Sequence, residues 1–212
     1  MLLHNIHGIA LREAAEITRW FMADAPTPQA VIRILNGENV RFMLVGAYAV
    51  AGWTRAPRAT KDVDVLVATR GIRKAVRALL AAFPHLQAED NEAVTRLRDP
   101  RTGNVVIDVM KPNQSLYREA LKYAHPVQSD GQTYSIPSLE LALAMKFSAM
   151  ISLTREDDKK HFDAGDFIRV VRANPDIDLE KLHLLGQLVY NGGGAEIVEK
   201  VRQVRAGETL RL

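Results

Sequence analysis

The chain has 212 residues, 47% of them hydrophobic and 25% charged, with a formal net charge of +3 and a pI near 9.2; this is a folding composition for one domain or two small ones, and its mildly basic balance is compatible with a nucleotide or RNA substrate without requiring one. It contains no cysteine, which excludes disulfides and thiolate metal sites and leaves oxygen or imidazole to hold any metal. No run approaches the roughly 20 apolar residues of a membrane span, and Arg12, Glu13, Glu16 and Arg19 interrupt the N-terminal apolar positions that a signal peptide would need, so a cytoplasmic protein is expected.

Ile9, Ala10, Ala14, Ile17 and Phe21 share one helical face, which predicts an amphipathic helix from Ile9 to Met22. Thr27-Pro28 is an N-cap followed by a proline suited to the first helical position, Val31, Ile32, Ile34 and Leu35 supply a buried side, and Asn36-Gly37 closes that helix. An apolar strand beginning near Val40 ends in Gly46, a small-residue helix follows to Trp53, and Asp62 to Val67 alternates as a second strand. Ile72, Val76, Leu79, Leu80 and Phe83 then repeat at helical spacing until Pro84, the pattern of a crossover helix. Glu92 to Arg98 and Asn104 to Met110 read as two strands around the turn residues Asp99-Pro100-Arg101-Thr102-Gly103.

Ser115 to Ala124 predicts a short helix and Gln132 to Ile136 a short strand. Ser138 caps a helix from Leu139 to about Leu153 that is apolar nearly all round except for Lys146. A charged start from Arg155 to Asp163 becomes an amphipathic helix ending near Pro175. Asp178 to Tyr190 and Ala195 to Val204 add two more helices, with Asn191-Gly192-Gly193-Gly194 as the turn between them. An α/β part followed by an all-helical part predicts two lobes, residues 1–136 and 137–212, with a cleft between them.

The chemistry is concentrated between Gly46 and Asp64. Residues two apart on a strand point to one face, so Asp62 and Asp64 stand together while Val63 and Val65 face the core. Paired carboxylates suit a hard divalent ion such as Mg²⁺, and a glycine just before a helix lets a phosphate reach backbone N–H groups. Asp108 is a lone carboxylate in an apolar strand and completes a triad if that strand lies beside Asp62 and Asp64; otherwise it is an ion-paired strand residue, with Arg58 or Lys111 as partner. Lys146 either meets an anion or snorkels to solvent. Arg155 is open to a phosphate-clamp role or plain solvation, and Asp163 and Asp166 share a helix face with Lys159, as an intrahelical ion pair would.

The run Val45-Gly46-Ala47 with its helix, then Arg58-Ala59-Thr60-Lys61-Asp62-Val63-Asp64-Val65 and a later strand carboxylate, resembles the nucleotidyltransferase superfamily with the DNA polymerase β-like core. Within it, Leu143-Ala144-Met145-Lys146, Arg155 and Asp163-Ala164-Gly165-Asp166-Phe167-Ile168 resemble the minimal nucleotidyltransferases that include AbiEii-type and MenT-type toxins of toxin–antitoxin systems. The resemblance covers about Arg41 to Val171. It implies an α/β (α+β) fold, a mixed sheet with flanking helices plus a helical carboxy-terminal lobe. It also implies one or two Mg²⁺ ions at Asp62, Asp64 and Asp108, with Asp108 accepting the proton of an attacking hydroxyl. Gly46, Ala47, Lys146 and Arg155 would meet the NTP phosphates, Asp163 would position Lys146 or Arg155, and Arg58 would hold phosphate or brace Asp62.

The family usually places Ser or Gly after the phosphate-turn glycine, and this chain has Ala47, which leaves the backbone donors of Gly46, Ala47 and Tyr48 to hold the phosphates. The expected activity is Mg²⁺-dependent transfer of NMP from an NTP to a hydroxyl of tRNA or protein, with a cognate antitoxin as partner. The alternatives are a catalytically degenerate module that binds nucleotide or a partner, and a small-molecule transferase of the antibiotic-resistance kind.

Overall fold

In a computed structural model of the chain, the described residues are 9, 10, 12–14, 16, 26–58 and 60–210. The helix expected over Ile9 to Met22 lies partly outside them; its described residues Ile9, Ala10, Arg12, Glu13, Ala14 and Glu16 are helical, with Ala10 and Ala14 buried. The chain divides into two compact units, Met1–Asn113 with Tyr117–Pro137, and Gln114–Leu116 with Ser138–Leu212.

The first unit is built on helix α1 (Pro28–Gly37), strand β1 (Phe42–Leu44), helix α2 (Gly46–Thr54), strand β2 (Val63–Val67), helix α3 (Ile72–Ala82) and strands β3 (Gln87–Asp90), β4 (Val94–Arg98) and β5 (Val105–Met110). Thr27 caps α1 by accepting from Ala30 N at 3.2 Å, with Pro28 in the first turn as its sequence requires. The five strands form one mixed sheet in the order β1-β2-β5-β4-β3, in which β2 and β5 are parallel and every other pair is antiparallel. Alternation sorts the side chains: Val63, Val65, Ile107 and Val109 are fully buried in a core shared with Val31, Leu35, Leu44 and Leu79. Asp99, in the β4–β5 turn, accepts from Arg101 Nη2 at 2.7 Å, and that guanidinium holds its carboxyl down to about 2.

Two strands differ from the sequence expectation. The helix expected to Ala124 is α4 (Ser115–Ala120), and Ala124–Ser129 is strand β6, paired antiparallel with β7 (Gln132–Pro137) through Asp130 (φ 51°) and Gly131 (φ 72°). Two consecutive residues at positive φ are what a tight two-residue hairpin turn needs, and Asp-Gly supplies them at low cost. Strand β3 is fully exposed, so no apolar pattern marks it.

The second unit holds helices α5 (Leu139–Met150), α6 (Asp157–Ala173), α7 (Leu179–Gln187) and α8 (Gly193–Ala206). Ser138 caps α5 and Asp178 caps α7, accepting from Leu141 N and Lys181 N. The glycine run is more than a turn, because Gly193 and Gly194 open α8. A Cβ on Gly186 would stand 2.6 Å from the Gly193 carbonyl, one on Gly193 2.5 Å from the Gly186 carbonyl, and one on Gly194 2.5 Å from the His183 carbonyl. The backbones of α7 and α8 therefore meet directly. Gly194→Ala is expected to destabilise the protein by about 1–3 kcal/mol through overpacking against backbone that cannot retreat, measured as a lowered denaturant midpoint.

Candidate active site

The site in the first unit is assembled by strand register. Residues Asp64 and Asp108 are direct partners across the parallel β2–β5 pair, and Asp62 precedes β2 on the same face. One carboxylate oxygen from each of Asp62, Asp64 and Asp108 lies within 4.8 Å of the others, all three side chains are partly buried, and this is the only such group of metal-ligating residues among those described. Three carboxylates at this spacing repel one another unless a cation shares them. An all-oxygen donor set is the kind that binds a hard divalent ion.

Two neighbours shape the trio. Gly46 opens α2 at φ 64°, and a Cβ there would stand 1.9 Å from Asp64 Oδ2, so the main chain passes against the carboxylate at a distance only glycine permits. Val45 N donates to the Asp64 carbonyl at 2.9 Å, which pins the start of the helix to β2. No side chain caps the N-terminus of α2 at Val45. Thr60 Oγ1 donates to Asp62 Oδ1 at 2.6 Å and fixes that carboxylate. Ala47 is buried, and Arg58 lies in the loop between α2 and β2, partly buried. Tyr48 is a core residue, while the Trp53 indole donates to the Pro137 carbonyl at 2.9 Å.

The second unit holds the other predicted residues together. Lys146 Nζ lies 2.8 Å from Asp163 Oδ1 and 2.8 Å from Asp166 Oδ2, and Arg155 Nε lies 2.6 Å from Asp163 Oδ2. Arg169 joins Asp166 at 2.5 Å. Both carboxylates are buried, and three cations surround them. The intrahelical Lys159–Asp163 pair does not form: Lys159 pairs with Glu156 at 3.0 Å, because its ammonium is exposed while Asp163 faces inward. Lys111, considered as a partner for Asp108, binds Asp90 at 2.9 Å.

Sequence reasoning missed Thr60 as an orienting group and Arg96 altogether. Arg96 is the direct partner of Asp108 across β4–β5, with its Nε 4.0 Å from Asp108 Oδ1. Its only signal was strand alternation, which needs the register to become informative.

No family model matches the sequence, and no curated protein does. Solved structures match over most of the chain. A crystal structure of an antigenic nucleotidyltransferase-like protein from Paracoccidioides brasiliensis has a TM-score of 0.52 at 20% identity, covering 83% of this chain and 87% of that one. The lincosamide antibiotic adenylyltransferase LnuA, lincomycin-bound, has a TM-score of 0.50 at 14% identity, over 71% of this chain and all (100%) of that one. ANT(2″)-Ia in complex with adenylyl-2″-tobramycin has a TM-score of 0.50 at 14% identity, over 80% and 93%. The chain therefore has the nucleotidyltransferase fold.

Gly46→Ala is expected to weaken Mn²⁺ binding at least tenfold, because the added methyl must displace Asp64; a titration followed by electron paramagnetic resonance reads this directly. Asp166→Asn leaves Lys146 and Arg169 short of a buried counter-charge and is expected to destabilise the protein by about 3 kcal/mol or more, seen in chemical denaturation.

Proposed function

We propose that this protein transfers a nucleoside monophosphate from an NTP to a hydroxyl on an acceptor and releases pyrophosphate. The observation that carries the reading is the carboxylate trio of Asp62, Asp64 and Asp108 beside the Gly46 backbone at the start of α2. One or two Mg²⁺ ions bound there would neutralise charge on the triphosphate and on the phosphoryl group in transit. Asp62, steadied by Thr60, and Asp64 provide the fixed negative charge. Backbone N–H groups of Gly46, Ala47 and Tyr48 at the helix start hold phosphate oxygens.

Asp108 takes the proton as the acceptor oxygen bonds to the α-phosphorus and the bond to pyrophosphate breaks. Arg58, in the loop before β2, adds a further cation for phosphate, and in the second unit Lys146 and Arg155, both ion-paired with Asp163, are assigned to phosphate on the family resemblance. Positioning and preorganised charge supply most of the rate, as in phosphoryl transfers generally.

For the acceptor we favour tRNA or protein, with the enzyme acting in the cytoplasm as a toxin restrained by a cognate antitoxin; the support is the resemblance of the Lys146 to Ile168 motifs to toxin-type nucleotidyltransferases. A small-molecule acceptor is the second reading, favoured by the two antibiotic-modifying proteins among the matching structures. Ala47 favours a third, binding without transfer, since no hydroxyl side chain stands at the phosphate turn.

Incubation with each α-³²P-labelled NTP, Mg²⁺ and a mixed pool of tRNA and protein is expected to label one acceptor class, and Asp64→Asn is expected to lose at least a hundredfold of that rate. Labelling that persists in Asp64→Asn would sink the assignment. Triphosphate binding that is indifferent to Mg²⁺ in calorimetry would favour the binding-module reading.

A further inference from the structure

We infer that Arg96 is the specificity-determining residue for the acceptor, its guanidinium receiving a phosphate next to the attacking hydroxyl and so selecting a phosphodiester acceptor over a cationic one. The inference rests on the proposed reading of the carboxylate site. It begins from a row of side chains across the sheet: Asp64 on β2 is in register with Asp108 on β5, Asp108 with Arg96 on β4, and Arg96 with Glu89 on β3. Register partners share a face, so Arg96 continues the carboxylate row on the side of Asp108 away from Asp64.

The charges in this row do not cancel evenly. Glu89 is taken by Arg98, whose Nε and Nη2 donate to its two oxygens at 2.8 and 3.0 Å. Arg96 lies 4.0 Å from Asp108 Oδ1, beyond hydrogen-bond length, with its side chain 46% exposed. Once Asp108 shares its charge with a divalent ion, the half-exposed guanidinium is the cation next to the group that takes the acceptor's proton. A guanidinium there matches phosphate oxygens two at a time and repels a polycation.

The cation-rich helix α3 does not add to this selection: it packs with Val63, Val65, Ile107 and Val109 on the core face of the sheet, opposite the carboxylates, so its exposed Arg73 and Arg77 stand away from Asp108. Arg96 alone carries the selection, and an acidic peptide is the competing acceptor that the test separates from a phosphodiester.

The test is calorimetry on the full chain saturated with Mg²⁺ and an α,β-methylene triphosphate, using the dinucleotide ApA, tobramycin and the peptide Glu-Ser-Glu as probes. The wild type is expected to bind ApA in preference to the other two, Arg96→Gln to lose at least tenfold in ApA affinity, and Arg96→Lys to keep part of it. Mn²⁺ affinity of Arg96→Gln is expected not to fall, since a positive charge beside the trio has been removed. No ApA binding by the wild type, an ApA affinity unchanged in Arg96→Gln, or a preference for tobramycin or the peptide would each overturn the inference. The Mg²⁺ dependence of wild-type triphosphate binding is read in the same cell and tests the parent reading separately.

Discussion

The structure depends on one alignment, the parallel register of β2 and β5. Because side chains alternate along a strand, a slip of one residue would turn Asp108 toward the core and bring Ile107 or Val109 to the surface. Burial of Val63, Val65, Ile107 and Val109 resists that slip, and it is what sets Asp64 opposite Asp108. The hydrophobic face thus positions the charged one. The cost is a concentration of negative charge at one spot, and the neighbouring groups all bear on it: Thr60 steadies Asp62, the Gly46 backbone leaves room for Asp64, and Arg96 lies beyond Asp108.

Much of this was legible in the residue order. Alternation around Asp62 and Asp64, a glycine before a small-residue helix and one carboxylate in an apolar strand were enough to indicate the acidic cluster, and the mixed sheet followed from the family resemblance those residues carry. What escaped had a physical reason in each case. Strand β3 has no buried face, so nothing in its pattern distinguishes Gln87–Asp90 from a loop. Strand β6 was hidden by Pro126 and by the helical look of the residues before it, although Asp130-Gly131 was a legible turn signal. Arg96 has no meaning until β4 is aligned with β5.

Ion pairing in the helical unit shows why spacing alone misleads. Lys159 and Asp163 have the helical separation that favours a pair, yet Asp163 is buried and Lys159 is not, and a buried carboxylate needs a cation that comes to it. Lys146, from the apolar helix α5, and Arg155, from the segment before α6, fill that need across separate parts of the chain. An ammonium held between two buried carboxylates has its charge matched where it stands, which accounts for a lysine in an otherwise apolar helix without its reaching solvent.

The glycines of α7 and α8 add a mechanical property. Most helix pairs touch through side chains, which can change rotamer and let one helix slide over the other; here Gly186, Gly193 and Gly194 bring peptide groups together with no side chain between them. Such a junction has no alternative packing to hop into. Any rearrangement within the second unit must therefore carry α7 and α8 together.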